Sequence, residues 1–388
     1  MKRIYLFAVL TAIIFLPSLS HAQFTLVKND QTFEIGGDIM AGYEYNFYPQ
    51  ATGDYHKDAF YLDEARLSIQ GRINLQLEYY VRVDFGGLTE DFTDETFTTP
   101  GSEINFLKEA YIIYKTNIVN FKVGYQKTPF SFNSQCEEYA DPFLQRPIVA
   151  DDNITPRRDL GVTLFHFFPT SGITAFAGAY SGMGETVFST DNPTGTPEYA
   201  ARVEWAYPAK YQREFIDWRT SPVPVFECGI GGEHAFDGVT AGGDYNYLTV
   251  DGTKWVYGAD ASVFYKGFSL QVEADQMQAT PIGSPQLLIG EGTVYSNFKA
   301  GGYIVELNYL CKPLKSVFAV RWDQYTPTNL AYGNYENTLS FAYNYNIKQN
   351  FLCLKIAYED HFNQTYPTPN GTIWKDDDLR AIIQILFN

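Results

Sequence analysis

Alternation of apolar and polar side chains with a period of two is the feature that most limits what this chain can fold into. In the stretch 64–70, Ala65, Leu67 and Ile69 share one parity, and charged or polar residues take the other; the pattern resumes over 75–85. A period of two indicates β-strands with one apolar and one polar face. A soluble sandwich and a membrane barrel with a wet lumen both show such faces, so alternation alone does not separate them.

The lengths of the connections separate these two folds. Short links such as Gly71–Asn74 and Lys266–Gly267 alternate almost throughout with long ones, as expected for a barrel with tight periplasmic turns and long outer loops. The exception is 208–223, which is either a periplasmic excursion or hides a strand. The sequence therefore predicts an all-β fold, a transmembrane antiparallel β-barrel of about 16 strands. The predicted strands are 33–47, 60–71, 74–86, 104–116, 119–126, 159–168, 172–183, 198–207, 224–236, 254–265, 267–279, 298–311, 316–325, 335–346, 350–361 and 378–387.

The two ends of the chain agree with export to an outer membrane. Residues 1–22 have the pattern of a cleaved signal peptide: Lys2 and Arg3, an apolar run, and small residues before Gln23. A retained N-terminal anchor is the alternative. The last strand carries apolar residues at every second position up to Phe387, as outer-membrane barrels commonly do. We expect one barrel domain over 23–388, in the outer membrane of a Gram-negative type of cell.

Charge and composition exclude some function classes. Without Lys2 and Arg3, 26 basic residues face 45 acidic ones, and this balance argues against a nucleic-acid partner. Aromatic residues make up 17% of the chain, which suits rings at a water–lipid boundary. The four cysteines show no paired spacing, so a disulfide framework is not expected.

Motifs for catalysis are sparse. The histidines of the mature chain are isolated from one another, without the spacing of metal ligands, and there is no nucleophile-elbow motif. Ser181 and His166 lie on strands predicted to be adjacent, which keeps an outer-membrane hydrolase as a distant third hypothesis. We expect no enzyme activity, no cofactor and no metal.

The segment 127–158 is the longest connection and follows the fifth predicted strand. It is too apolar and aromatic for a disordered loop, and a sixteen-strand barrel encloses an aqueous lumen. We therefore predict that this third loop folds into the lumen and narrows it. The alternative is an external loop packed on its own residues.

Particular charged residues are predicted at the constriction. Lys127, Arg146 and Arg157 belong to the loop, and Arg66 and Arg82 belong to the facing wall. Arginine suits contact with anions because its planar guanidinium group can donate to two oxygen atoms at once and keeps its positive charge. For each residue the alternative is an ion pair with a nearby carboxylate.

Strand parity adds further predictions around the same lumen. It places Arg157 and Asp159 on the lumen side, with Asp159 partly neutralising Arg157, and places Arg158 outward or at the rim. Glu78, on the polar face of its strand, is also predicted to line the pore.

Several short motifs resemble the phosphate-selective porin O and P family. They are Lys108-Glu109-Ala110-Tyr111, Val123-Gly124-Tyr125, Lys127-Thr128-Pro129-Phe130-Ser131 and Arg158-Asp159-Leu160-Gly161-Val162, and segments 257–275 and 301–310 also fit. The resemblance implies a sixteen-stranded outer-membrane barrel, a homotrimer, a third loop inside the channel, and passage of phosphate along lumen arginines and lysines. A full arginine ladder does not match in this sequence. Either the surplus acid lies on outer loops such as 88–97 and 54–58 and leaves the lumen locally basic, or this is a general pore on the family's scaffold.

The sequence thus predicts a passive diffusion porin for small hydrophilic solutes, anions such as phosphate among them. Its partners would be outer-membrane lipid, the solutes and two further copies of the chain in a homotrimer. A plugged surface barrel with an adhesive or envelope-structural role is the runner-up.

Overall fold

The fold is a closed barrel of 16 antiparallel strands. The prediction of an all-β barrel with the third loop in the lumen is confirmed. The computed structural model describes residues 24–46, 59–86, 106–150, 154, 157–182, 184, 196–208, 211–235, 252–281, 287–289, 292–294, 297–326, 329, 335–362 and 378–387.

Nineteen strands and one short helix occur in the described residues. The strands are β1 (Phe24–Lys28), β2 (Gln31–Asn46), β3 (Ala59–Arg72), β4 (Leu77–Asp84), β5 (Leu107–Tyr114), β6 (Asn120–Lys127), β7 (Arg158–Phe168), β8 (Ile173–Tyr180), β9 (Glu198–Tyr207), β10 (Val225–Ala235), β11 (Gly252–Tyr265), β12 (Phe268–Pro281), β13 (Leu287–Ile289), β14 (Gly292–Val294), β15 (Phe298–Cys311), β16 (Ser316–Thr326), β17 (Glu336–Asn350), β18 (Leu352–Phe362) and β19 (Asp378–Phe387). The helix α1 spans Phe132–Gln135, and 3-10 turns span Glu138–Ala140, Ile148–Ala150 and Lys312–Leu314.

Each barrel strand pairs with its neighbours in chain order, and the last closes on the first. In the pairing of β19 with β2, Phe387 lies opposite Gly37 and Asp378 lies opposite Asn46. The small hairpin β13–β14 stands apart from the barrel sheet. Strand β1 folds back on the start of β2, with Lys28 opposite Gln31, and was not predicted.

Alternate residues face opposite sides of the wall, as the sequence pattern predicts. On β7 the outward side chains Leu160, Val162 and Leu164 are 44%, 39% and 40% exposed, whereas Thr163 is buried. The same alternation runs through β9, where every second residue is buried. An apolar exterior over a polar interior is the arrangement expected of a barrel in lipid.

Tight turns join the strands at one end, the periplasmic end in the porin pattern. Lys266 and Gly267 both have positive φ, 51° and 88°, between Tyr265 and Phe268. A two-residue turn of this kind matches the twist of the strands that it joins, and glycine accepts the second position without strain. The turn predicted between the strands 335–346 and 350–361 was misplaced, because β17 continues through 347–350.

The long link after β9, predicted at 208–223 where a short turn was expected, forms no strand in its described residues 211–224. Residues 211–221, which we call the inturned segment, fold into the lumen. Ser269 Oγ and Asn308 Nδ2 on the inner wall donate to the Phe215 carbonyl oxygen at 2.6 Å and 3.0 Å. Phe215 and Ile216 are buried there. The link is therefore an excursion that turns back into the barrel.

Two further observations concern the described residues as a whole. None of their helices is both long and apolar enough to cross a membrane. All four cysteines, Cys136, Cys228, Cys311 and Cys353, are free.

Candidate pore constriction

The described residues of segment 127–158, the constriction loop, cross the lumen and are held by the wall on several sides. Its start is organised by a capping box, in which the Ser131 side chain accepts from Ser134 N and the Ser134 side chain accepts from Ser131 N. Both serines satisfy backbone groups at the start of α1 that would otherwise lack partners. This fixes the direction in which the loop leaves β6.

The start of the loop lies against β9 to β12. Arg202 Nη1 donates to the Phe130 carbonyl oxygen at 2.8 Å, and Glu273 Oε2 accepts from Asn133 N and Nδ2 at 3.0 Å and 3.1 Å. A Cβ at Gly231 would lie 2.0 Å from the Phe130 carbonyl oxygen. The glycine of β10 therefore allows the loop to approach the wall closely.

The far part of the loop reaches the opposite wall. Lys355 Nζ donates to the carbonyl oxygens of Tyr139 and Asp141 at 3.0 Å and 2.6 Å. The Arg321 guanidinium lies 4.3 Å from the ring centroid of Phe143. That ring is accommodated by small side chains on the inner wall, namely Ala319, Ala342 and Ala357. The loop thus spans the lumen from one wall to the other.

Two adjacent glutamates of the loop, Glu137 and Glu138, gather the basic residues predicted at the constriction. Glu137 forms ion pairs with Arg82 and with Lys127, whose Nζ lies 2.7 Å from Glu137 Oε1. Arg82 belongs to β4 and Lys127 to the end of β6, so this glutamate ties the loop to two parts of the wall.

Glu138 collects the other three cations. It forms ion pairs with Arg66 and Arg157, and Arg146 Nε lies 3.4 Å from its Oε1. Lys127, Arg146 and Arg157 also donate to the Cys136 carbonyl oxygen. Two carboxylates and a carbonyl oxygen of the loop therefore contact five cations, and Asp84 and Asp38 of the wall supply further negative charge to Arg66 and Arg82.

The carboxylates remain charged because of these partners. Burial alone would raise the pKa of Glu137, but Lys127, Arg82 and Arg157 hold that pKa well below its usual range. Burial acts against ionisation of Glu138 too, and Arg66 and Arg157 hold its pKa well below the usual range. The Glu137 and Glu138 side chains keep 30% and 24% exposure, whereas Arg66, Arg82 and Arg157 keep 5% or less. The carboxylates, not the cations, border the aqueous space.

The structure brings together five of the seven predicted site residues: Lys127, Arg146, Arg157, Arg66 and Arg82. Asp159 instead accepts from the Ser181 hydroxyl and from Gly182 N, the latter at 2.6 Å, and its expected partner Arg157 is held by Glu138. Glu78 lies near the short-turn end of β4, 2.5 Å from Lys115 Nζ. The sequence prediction missed Glu137 and Glu138 as site residues, although two adjacent acids in a loop that also carries four bases were a usable signal.

The two adjacent arginines differ from the expectation in one respect. Arg157 lies in the cluster described above. Arg158 is only 2% exposed, and its Nε lies 3.7 Å from Glu109 Oε1. Lipid-facing side chains of the barrel are far more exposed, so an outward placement of Arg158 is wrong. Arg158 is the first residue of β7, a position that agrees with the alternative placement at the rim. Both arginines serve to hold charge pairs within the barrel.

The candidate catalytic pair is not formed. Ser181 N donates to the Leu160 carbonyl oxygen, six positions before His166 on β7. Six strand residues span about 20 Å. Ser181 therefore lies far from His166.

One group in the described residues has the composition of a metal site. Single ligand atoms of Glu359, His361 and Asp378 lie within 4.8 Å of one another. Arg321 lies 3.3 Å from Glu359 and Arg380 lies 3.2 Å from Asp378, so cations of the protein already neutralise both carboxylates. The group therefore works as an ion-pair network.

Acidic residues dominate one half of the lumen. In the first wall, β2 to β8, five buried acids face four buried bases: Asp38, Glu64, Asp84, Glu109 and Asp159 against Arg66, Arg82, Lys127 and Arg158. In the second wall, β9 to β12 and β15 to β19, twelve buried acids face four buried bases: Glu198, Glu204, Glu227, Glu233, Asp260, Glu273, Asp275, Glu306, Asp323, Glu336, Glu359 and Asp378 against Arg202, Lys254, Arg321 and Lys355. The expectation of a locally basic lumen is therefore wrong for the described strands, and the outer loops 54–58 and 88–97, where the surplus acid was expected, lie outside the described residues.

Comparison with known proteins places the chain among bacterial porins. The sequence model of the family described as phosphate-selective porin O and P matches residues 33–350. No curated protein matches the chain.

Solved structures share the fold at low identity. The anion-selective porin from Comamonas acidovorans is 13% identical, with a TM-score of 0.60, over 92% of this chain and 100% of that one. OmpT of Vibrio cholerae in its trimer form is 10% identical, with a TM-score of 0.57, over 92% and 100%. The outer-membrane channel DcaP of Acinetobacter baumannii is 12% identical, with a TM-score of 0.56, over 93% and 99%.

Proposed function

Because this chain belongs to the phosphate-selective porin O and P family and is an outer-membrane porin, we propose that small hydrophilic solutes cross it passively, past the constriction loop. The observation that carries this proposal is the placement of 127–158 across the lumen, with the partly exposed Glu137 and Glu138 at its centre. A loop held inside a barrel narrows the channel, and its charged groups choose what passes.

The five basic residues of the constriction take part as positioning groups for the loop. An anion pathway like that of the Comamonas porin would need cations free to bind oxyanions. Here Arg66, Arg82 and Arg157 are nearly buried and already paired with Glu137 or Glu138. We therefore propose a general pore for hydrophilic solutes rather than a phosphate-binding one, and preference for anions remains an expectation from the family alone.

Conductance of the purified, full-length protein in planar bilayers tests the proposal. We expect stepwise currents of uniform size in KCl. A matched variant is Phe143→Leu, which loosens the loop against the second wall without changing any charge, and it should alter the step size. Bilayers that stay silent with folded protein would contradict the pore.

A plugged barrel is the second candidate, and one contact favours it. The constriction loop meets the inturned segment directly: the rings of Phe132 and Phe215 lie 5.1 Å apart, edge to face, and Cys136 Sγ lies 3.5 Å from the Arg213 carbonyl oxygen. If this contact seals the lumen, the unaltered protein should conduct no current in a planar bilayer, and the Phe215→Ala variant should conduct. Steady current through the unaltered protein would exclude the plug.

We also propose a cleaved signal peptide over 1–22, a single barrel domain over 23–388, and a homotrimer. The trimer form of OmpT supports the homotrimer, since the two barrels share a fold. Intact-mass measurement of protein from outer membranes should give a chain beginning at Gln23, and cross-linking in the membrane should stop at three copies. Hydrolysis is not proposed, because Ser181 and His166 lie apart.

A further inference from the structure

The inner face of the first wall becomes aromatic between the constriction and the short turns. Tyr80 on β4 and Tyr111 on β5 lie opposite each other and share the parity of the inward pair Arg82 and Glu109, so both rings point into the lumen. The ring centroids lie 5.2 Å apart, with an angle of 23° between the ring planes. Two aromatic rings therefore lie one residue pair nearer to the short turns than the constriction.

A second pair of rings continues this inner face on β7 and β8. Phe165 and Phe176 lie opposite each other, with ring centroids 5.9 Å apart and 20° between the ring planes. Phe165 shares the inward parity of the buried Thr163, and its partner points to the same side. We call Tyr80, Tyr111, Phe165 and Phe176 the aromatic strip.

The four rings of the aromatic strip point inward and yet remain partly exposed, so they border the water of the lumen. The second wall near its short turns is covered instead: Ser269 and Asn308 are 0% exposed and donate to the Phe215 carbonyl oxygen of the inturned segment. The inturned segment thus fills the side of the second wall and leaves the strip open. Because the interior of a porin is normally polar, exposed aromatic surface in this place indicates a binding surface.

Lys122 on β6 lies between the two pairs of rings and is a cation without a carboxylate partner. Its Nζ lies 3.9 Å from the ring centroid of Tyr111. In the part of the chain that the structure describes, no ion pair and no side-chain hydrogen bond engages this ammonium group. Glu109, on the neighbouring strand, lies 3.7 Å from Arg158 Nε. The positive charge of Lys122 is therefore available to an anionic group of a solute.

Arg213 of the inturned segment shows the contrast. Its guanidinium carbon lies 5.4 Å from the ring centroid of Phe176, at the other end of the strip. Its Nη2, however, donates to both carboxylate oxygens of Glu204, at 2.8 Å and 3.0 Å. Arg213 is balanced within the protein, whereas Lys122 is not. The strip thus combines apolar rings with one positive charge that the described residues leave uncompensated.

We propose that the aromatic strip and Lys122 form a binding surface for small aromatic carboxylates inside the lumen. The carboxylate contacts the Lys122 ammonium group. The flat ring packs on Phe165, which lies diagonally across the strands from Lys122 because Lys122 is opposite Thr163. Passage of such solutes rests on the proposed porin function, but their binding does not. A single unpaired lysine does not offset the excess of acids in the second wall, so K⁺ should still permeate better than Cl⁻.

Saturation-transfer NMR of sodium benzoate, titrated with the folded, full-length protein in detergent, tests the binding surface. Protein-free micelles give the background. The unaltered protein should bind benzoate more tightly than acetate, which lacks the ring, and more tightly than glucose, which lacks the charge. Either of these orders reversed would overturn the proposal.

Variants of the same protein identify the surface. Lys122→Gln should weaken benzoate binding about tenfold, as expected for the loss of a hydrogen bond to a charged group. Phe165→Leu should weaken the binding of benzoate but leave that of acetate unchanged, because it removes only the ring. The matched control is Lys28→Gln, which removes one positive charge from an exposed position at the end of β1 and should bind benzoate like the unaltered protein. Equal binding by the unaltered protein and Lys122→Gln would overturn the surface.

Currents in planar bilayers separate this inference from the proposed function. Benzoate should reduce the KCl current through the unaltered protein, and it should reduce the current through Lys122→Gln less. Bilayers without current, together with benzoate binding that Lys122→Gln weakens, would end the porin proposal and support the binding surface. Open channels without benzoate binding would do the reverse.

Discussion

The two walls of the lumen use the same residue types to opposite effect. In the first wall, β2 to β8, buried acids and bases nearly balance, and Glu137 and Glu138 of the constriction loop complete the pairs. In the second wall buried acids outnumber buried lysines and arginines threefold. Basic residues at a constriction therefore do not by themselves make a pore selective for anions. Selectivity depends on which charged side chains lack a partner of opposite charge.

Removing both loop glutamates should have the largest effect, because it destroys the balance of the first wall. In Glu137→Gln/Glu138→Gln the five cations of the cluster lose their loop carboxylates, while Arg66 and Arg82 keep partners on the wall, and selectivity should move strongly towards anions. Each lost carboxylate should also cost about 2 kcal/mol of unfolding free energy, less than for a fully buried pair because both side chains are partly exposed. Reversal potentials and urea unfolding in vesicles measure these effects. Unchanged selectivity would show that ions do not pass this cluster.

A matched pair of arginines compares the two walls directly. Arg66 pairs with Glu64, Asp84 and Glu138, and Arg321 pairs with Asp141, Asp323 and Glu359. Each touches three carboxylates, one of which belongs to the constriction loop.

Substitution of either arginine by glutamine should increase the preference for cations. The loss of stability should be larger for Arg321→Gln, about 3–5 kcal/mol, because the second wall has few other cations. In Arg66→Gln, Arg157 and Arg146 still neutralise Glu138. Urea unfolding of both variants in parallel checks the order, and a larger loss in Arg66→Gln would contradict the comparison.

The charge cluster of the first wall should lose its ion pairs only at low pH. Glu137 and Glu138 have depressed pKa values, so their contribution to stability is fully present above the unfolded pKa of about 4.3 and is lost as the pH falls through the lower folded pKa. Single-channel conductance should therefore keep its dependence on this cluster at pH 5 and lose it only in stronger acid. Comparison with Glu137→Gln/Glu138→Gln isolates the cluster. A transition between pH 7 and pH 5 that disappears in this variant would be inconsistent with depressed pKa values.

The smallest effect on stability and selectivity is expected from an ion pair that lies outside the charge clusters of both walls. Glu78→Gln breaks an ion pair with Lys115, whose side chain is 44% exposed, and should cost less than about 1 kcal/mol. Selectivity should stay the same, because this pair lies near the short-turn end of β4. A marked shift in reversal potential would restore Glu78 to the pore lining that the sequence predicts.

The barrel was predictable because a period of two and alternating loop lengths are local properties of the chain. Strand β1 escaped prediction because its five residues lie next to the expected signal peptide. The inturned segment gave only its unusual length as a signal. Its position depends on hydrogen bonds from Ser269 and Asn308, which are far away in sequence.

The site was predictable in its members but not in its pairing. Parity identified Arg66, Arg82 and Arg157 as inward groups, whereas their partners depend on the path of the constriction loop. That path is set by long-range contacts, such as Asn133 with Glu273. No local pattern shows that two adjacent glutamates will end beside residues from three different strands. The acid surplus of the second wall likewise becomes visible only when its strands are assembled.

Reversal potential in a KCl gradient across a planar bilayer, with the unaltered protein, tests the central claim most directly. The first wall is balanced and the second is acidic, so the sign should report more permeant K⁺ than Cl⁻. A clear preference for Cl⁻ would show that the cations of the constriction cluster are free in the conducting state, and would contradict the account of the two walls.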